Sequence, residues 1–241
     1  MSEELIRLNK YLSDAGVCSR RGADAAIEAG RVKIDGQVAI MGQKVTGNET
    51  ITFDGKPVSN KDKKTVLIAY NKPVGIVCTA EKREKNNIVD HINYPTRIYP
   101  IGRLDKDSHG LILLTNEGDL VNKMMRGSNY HEKEYVVRVD KEITAEFLDG
   151  LRNGVYLEEL ETTTRKCKVK KLSKNSFSIV LTQGLNRQIR RMCKAHGYRV
   201  SDLKRVRIMN INLGDLKEDT YRDVTAAELT AILKMTEGSR N

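Results

Sequence analysis

Leu5, Leu8, Tyr11, Leu12 and Ala15 recur at three- and four-residue steps, which predicts a first helix, ended by Gly16 in a left-handed cap. Ser19 caps a second helix, with Ala23, Ala26 and Ile27 on its buried side and Gly30 at its end. "RVKIDGQV" then alternates basic and apolar residues into an Asp35-Gly36 hairpin turn. Further along, "TVLIAY", "KEYVVRVD", "SFSIVLTQG" and "RVRIMNINL" read as strands, and "NKPVGIVCT" as a turn into another. Helices are predicted over 119–126 and 144–152, and a last one starts at Thr225, where Glu228 completes a capping box and Val224 faces Leu229 as a hydrophobic staple. Strands and helices mix without regular βαβ alternation, so the fold class is α+β with a largely antiparallel sheet. The polar, aperiodic run "SNKDKK" at 59–64 marks a boundary: a small helix-rich domain over 1–60, a linker over 61–64 and a larger mixed domain over 65–241.

Charge sharpens this division. Residues 1–60 hold 8 Lys/Arg against 8 Asp/Glu, whereas 162–210 holds 14 Lys/Arg and a single acid, Asp202, within a chain of net charge +10. Such a concentration points to a polyanionic partner, above all a nucleic acid. The four cysteines, Cys18, Cys78, Cys167 and Cys193, make no CxxC pair and no metal-ligand spacing with the four histidines, so neither a metal site nor a disulfide framework is expected. No apolar run approaches the ~20 residues of a membrane span, and the opening "MSEELIRLNKYL" carries acids where a secretory signal carries positive charge. A soluble, cytoplasmic protein without a membrane partner is the expectation.

The stretch 186–197, "NRQIRRMCKAHG", is the most legible helix. At 100° per residue Arg187, Arg190, Arg191 and Lys194 share one stripe, opposite Ile189, Met192, Cys193 and His196. Four cations without an interleaved acid repel one another, so this stripe is expected to face an anion. In the N-terminal part, Arg20 and Arg21 fall in the first turn of the second helix, where free N–H groups favour a phosphate, and Arg7, Lys10, Arg31 and Lys33 extend a basic face. Lys72, followed by Pro73 and Gly75, reads better as part of a structural turn than as an RNA contact.

A single carboxylate, Asp105, stands within the charged run 103–108 of "YPIGRLDKDSHGLILLTNEGDL", between apolar flanks. Local sequence alone makes it an ordinary turn residue. "GRLDKDSHGLILLTNEG", "EKEYVV" and "QGLNRQIRRM", spaced as here and preceded by "NKPVGIVCT", closely resemble the bacterial ribosomal-RNA pseudouridine synthases of the RsuA/RluB/RluE/RluF family, the F type most of all. "RLNKYLSDAGVCSRRGADAAIEAGRVKIDGQV" resembles the S4 RNA-binding module that precedes the catalytic domain in this family.

The resemblance implies that Asp105 is the catalytic aspartate, that Tyr135 lies against the uracil ring, that Arg190 pairs with Asp105, that Ile189 walls the base pocket and that Arg103 lies near the gap left by the extruded nucleotide. Ser108 stands where many members carry threonine, which keeps the hydroxyl, and the sequence ends at Asn241 where some F-type proteins continue into a basic tail. The reaction it implies moves the ribose bond of uridine from ring nitrogen to ring carbon 5, with no metal or cofactor. The substrate it implies is ribosomal RNA, 23S rRNA above all, and a monomer is the default expectation. The alternatives are a synthase acting on tRNA, and a non-catalytic ribosome-assembly protein that keeps the charge and the fold only.

Overall fold

The computed structural model describes residues 5–60, 64–125 and 130–237. Residues 61–63 of the expected linker, and Arg126 at the end of an expected helix, lie outside the described residues. The chain divides into two compact units: Met1–Thr65 with Pro95–Arg97 and Asn116–Gly118, and Val66–Tyr94 with Ile98–Thr115 and Asp119–Asn241.

The first unit runs β1 (Ile6–Arg7), α1 (Leu8–Asp14), α2 (Arg20–Glu28), β2 (Val32–Ile34), β3 (Gln37–Val38), β4 (Lys44–Val45), β5 (Ile51–Phe53) and β6 (Lys56–Val58). Helix α1 starts later than the apolar periodicity predicts, because Ile6 and Arg7 pair as a strand with Val45 and Lys44, which leaves Leu5 exposed rather than on the buried face. Gly16 ends the helix at φ +78°, and the Ser19 hydroxyl accepts the Gly22 N–H at 3.0 Å to cap α2. Asp35 and Gly36, at φ +49° and +83°, make the β2–β3 hairpin, as two positive-φ residues in sequence require. Leu8, Leu12, Ala23, Ala26, Ile27, Val32 and Ile51 close the small core.

The second unit contains β7 (Leu67–Lys72), α3 (Ile88–Ile92), β8 (Tyr99–Pro100), β9 (His109–Thr115), α4 (Gly118–Met125), β10 (Lys133–Val139), α5 (Ala145–Asn153), β11 (Tyr156–Leu157), β12 (Thr162–Thr163), β13 (Lys168–Ser173), β14 (Ser176–Leu181), α6 (Gln188–Ala195), β15 (Val200–Ile208), β16 (Ile211–Asn212), β17 (Tyr221–Asp223) and α7 (Ala226–Thr236). Its main sheet has the order β13-β14-β10-β15-β9-β7-β17, with β16 on β15 and β8 on β9. Every strand pairing in it is antiparallel except β15 with β9. The expected strand within "NKPVGIVCT" does not form. Pro73 lacks an N–H for the ladder, the chain turns through Gly75 at φ +96°, and Val77 makes only an isolated bridge to Asn87. Lys72 is fully buried with its ammonium on the Pro73 and Ile76 carbonyls, which makes it the staple of this turn.

Period-2 alternation sorts the strands onto three cores. Leu67, Ala69, Leu111 and Leu113 face one side with Leu120, Met124 and Ile232, while Ile68, Tyr70, Ile112 and Leu114 face the other with Ile88 and Ile98. The third core joins Val137, Val139, Phe177, Ile179 and Leu203 to Phe147 and Leu151 of α5 and to Ile189, Met192 and Cys193 of α6. Tyr135 packs at the edge of both this core and the α3 side. The last helix keeps its predicted start: Thr225 Oγ1 accepts the Glu228 N–H at 3.2 Å and a Glu228 carboxylate oxygen accepts the Thr225 N–H at 2.9 Å. Thr225→Ala is expected to cost about 1 kcal/mol, read as a lowered denaturation midpoint with unchanged slope.

Candidate active site

Asp105 sits in a turn that is held at every corner. Before it, the buried Leu104 N–H meets Cys78 Sγ at 3.4 Å, and Arg205 Nη1 donates to the Arg103 carbonyl at 3.2 Å. At its apex Gly75 N–H donates to the Lys106 carbonyl at 2.8 Å, and Ser108 N–H returns to the Asp105 carbonyl at 3.1 Å. After it, Arg190 Nη2 donates to the Asp107 carbonyl at 2.9 Å and to the hydroxyl of fully buried Ser108 at 3.2 Å. Such a frame leaves the Asp105 carboxylate about a third exposed at a cleft of about 640 Å³.

The walls of this cleft include Arg103, Asp105, Tyr135 and Ile189, together with Lys133, Arg165, Gln183, Arg187 and Arg205. Asp105 is the sole carboxylate among the described residues that line it. Tyr135 enters from β10, in register with Ile179 of β14 and Arg205 of β15, and the Arg205 guanidinium carbon lies 6.0 Å from its ring centre. Ile189 contributes from the first turn of α6, buried by the third core.

Two expectations for α6 need correction. The first concerns which arginine meets the carboxylate. Arg187 Nη1 lies 3.9 Å from Asp105 Oδ2, while Arg190 is engaged with Asp107, its Nε 3.5 Å from Oδ2, and with the backbone of the turn. Arg187 adopts φ +50° as the residue before the helix, so α6 begins at Gln188, and Asn186 accepts hydrogen bonds from Arg191 instead of capping it. That left-handed start swings Arg187 out of the helical stripe and over the Asp105 turn. The second concerns repulsion. Arg187 makes a bidentate pair with Asp107 at 3.0 and 2.8 Å, Lys194 pairs with Glu159 at 3.0 Å, and Arg191 pairs with Glu159 as well. Acids distant in sequence therefore neutralise the stripe internally, which no local charge count can register. The Arg187 hydrogen bonds hold the Asp107 carboxyl below the usual carboxylate range.

In the first unit, Arg7, Arg20, Arg21 and Lys33 are exposed and Lys10 is half-buried on α1. Arg31 is instead tied to Asp54 through Nε at 2.8 Å, with its guanidinium 5.1 Å from the Phe53 ring centre. No group of three or more His, Cys, Asp or Glu side chains with metal-binding proximity occurs among the described residues, and Asp107 is spent on Arg187 and Arg190.

Sequence reasoning missed Arg205 and Lys133. Arg205 is 2% exposed and ties β15 to Leu111 of β9 at 2.6 Å, yet among the described residues its Nη2 has no partner. Lys133 is half-buried at the cleft, and burial together with the Arg205 charge pushes its ammonium down to about 8. Both carried a readable signal. In "DLKRVRI" and "KEYVV" they occupy the phase of the alternation that otherwise holds Leu203, Tyr135 and Val137, so each places a cation on the inward face of a strand.

The model of the RNA pseudouridylate synthase family matches residues 66–195, and that of the S4 domain matches residues 6–51. The chain belongs to the RNA pseudouridylate synthase family. It is 52% identical over 240 residues to the dual-specificity RNA pseudouridine synthase RluF of Salmonella typhi and 51% to that of Escherichia coli (strain K12), covering 99% of this chain and 82% of each relative. The ribosomal large subunit pseudouridine synthase B of Bacillus subtilis (strain 168) is 36% identical, over 98% of both chains. A solved structure described as a pseudouridylate synthase superposes with a TM-score of 0.69 at 26% identity, over 94% of this chain and 99% of that one. The chain is thus an isomerase with an S4 domain ahead of an α+β synthase domain, and a purely non-catalytic RNA-binding role is set aside. Among the described residues no helix is long and apolar enough to cross a membrane.

Proposed function

We propose that this protein converts specific uridines of ribosomal RNA, above all 23S rRNA, to pseudouridine in the cytoplasm, as a monomer without metal or cofactor, with Asp105 as its catalytic carboxylate. The observation that carries this reading is the lone carboxylate of the cleft, presented on a turn braced from Gly75, Arg190 and Arg205, with the Arg187 cation 3.9 Å away. The carboxylate acts on the ribose, either at the anomeric carbon or by taking a proton from its neighbour, and both routes release the base. Releasing it first requires extrusion from the stack, which costs a few kcal/mol. Tyr135 offers an aromatic face worth about 1–3 kcal/mol to the extruded base, with Ile189 as an apolar wall and Arg103 at the rim. Arg190 holds the turn rather than the carboxylate.

In the same reading residues 1–60 act as the S4-like RNA clamp, 61–64 as a linker and 65–241 as the catalytic domain. Arg7, Lys10, Arg20, Arg21 and Lys33 meet phosphates there, whereas Arg187, Arg191 and Lys194 beside the cleft meet them only by giving up Asp107 and Glu159. Arg31, already engaged by Asp54, contributes least. Arg20→Glu/Arg21→Glu is expected to weaken RNA binding and flatten its salt dependence by about 1–2 in log–log slope. Binding titrations across salt check this, and unchanged affinity at low salt refutes the clamp. The function itself is tested by incubating the protein with 23S rRNA and tRNA transcripts and mapping pseudouridine in each. The relatives' description as dual-specificity enzymes favours a second RNA substrate, and tRNA is the one to include.

A further inference from the structure

Three hydrogen-bond donors that line the cleft lack a close protein acceptor among the described residues. Among the described residues Arg205 Nη2 and Gln183 Nε2 are buried without a partner, and the Lys133 ammonium makes one long contact, 3.4 Å, to the His131 carbonyl. Neighbouring acids do not serve Lys133: Glu132 and Glu134 are taken by Arg207 at 3.0 Å each. Lys133 stands two residues before Tyr135 on β10, and both side chains line the cleft, so the ammonium lies on the same wall as the aromatic face. Buried donors with no acceptor are costly, and a pocket that keeps them is arranged for a ligand that brings acceptors.

The chemistry supplies such a ligand. When the C1′–N1 bond of uridine breaks, its electron pair leaves with the base, so the detached uracil is an anion whose charge is shared among N1, O2 and O4. That charge disappears when C5 bonds to C1′, after which the C5 proton is lost and N1 gains one. Atoms and charge balance, and uracil is anionic only between the two bonds. We propose that Lys133 is a further catalytic residue, whose ammonium meets the carbonyl oxygens of the detached uracil and stabilises its negative charge. Arg205 and Gln183 complete the set of donors. The inference rests on the synthase reading above and adds to it the group that makes the leaving base a stable anion.

A cation aimed at developing charge is worth about 10²–10³ in rate once the bound nucleotide screens it from water. Burial and Arg205 lower the Lys133 ammonium to about 8, so it is charged below that pH and loses its charge as pH rises through it. The charge that acts on it is Arg205 of β15; Arg103, Asp105, Arg165 and Arg187 line the same cleft, and Glu132 and Glu134 flank it in sequence but are held by Arg207. Tyr135 is the titratable side chain on the same wall, and burial keeps His131 below its usual range, so it is already neutral near pH 8.

The test is the pH dependence of single-turnover pseudouridine formation in an RNA first shown to be converted by the native protein. Without that conversion the synthase reading fails before this one is reached. The native rate is expected to fall above pH about 8. Lys133→Arg, which stays charged, is expected to retain activity within about tenfold at pH 7 and to move the alkaline fall up by at least about one unit. Lys133→Met is expected to lose about 100-fold or more with no such fall, while binding RNA like the native protein. A Lys133→Met rate within about threefold of native, or an alkaline fall that Lys133→Arg leaves in place, overturns the proposal. Should Lys133→Met fail to fold, the arginine comparison decides alone.

Discussion

Asp105→Asn is expected to abolish pseudouridine formation, by about 10⁴-fold or more, while leaving RNA affinity close to native. The substitution keeps the size and the turn but removes the charge, and an amide neither attacks the anomeric carbon nor takes a ribose proton. Neighbouring acids offer no rescue. Asp107 is clamped by Arg187 and Arg190, and no second carboxylate lines the cleft among the described residues. The frame of the turn is made by the backbone around Asp105 and by Arg190, Arg205 and Gly75, so it survives the change. Pseudouridine mapping in a 23S rRNA transcript, beside an equilibrium binding assay, reads both halves. A variant that converts uridine as well as the native protein sinks the assignment of Asp105. Native protein that binds but converts neither 23S rRNA nor tRNA sinks the substrate reading.

Gly110→Ala is expected to cost about 3 kcal/mol or more of stability, and activity with it, although position 110 touches no RNA in the proposed scheme. Gly110 has φ +101° and sits opposite Arg205 in the single parallel pairing of the sheet. A Cβ there would lie 2.3 Å from the Arg205 carbonyl oxygen and 2.8 Å from its nitrogen, both backbone atoms that cannot step aside without breaking the β9–β15 pairing. The strand that would move carries the guanidinium bonded to Leu111 and Arg103, so the Asp105 turn would lose one of its braces. Gly184→Ala, where nothing lies within 4 Å of the added carbon, is expected to stay within about 0.5 kcal/mol. Denaturant titrations of the two variants distinguish this account from a general intolerance of alanine for glycine, which would give equal losses.

Particular elements show how far the chain could be read in advance. The Ser19 and Thr225 caps, the Gly16 helix end and the Asp35-Gly36 hairpin all formed as read, because each depends on residues within four positions. The "NKPVGIVCT" strand failed because Pro73 lacks a ladder N–H and the chain turns through Gly75, a turn that the buried Lys72 staples through the Pro73 and Ile76 carbonyls. The arginine stripe of α6 was legible as a stripe, but its partners were not: Asp107 lies 80 residues from Arg187 in sequence. Reading local charge therefore found the cations of α6 and mistook their surroundings.

By itself the sequence determined most element types and the α+β class, which follow from short-range periodicity and capping, while the candidate carboxylate came from the family resemblance of its motif set and not from local pattern. Tertiary structure alone decided which arginine reaches Asp105, that Arg190 and Arg205 brace its turn, and that Lys133 and Arg205 bring unneutralised donors to the cleft. The physical reason is that charge pairing and desolvation depend on distance in space. Such distances are set when β9 and β15 pair across nearly a hundred residues of intervening chain, |i−j| being 94 for the Arg205–Leu111 bond.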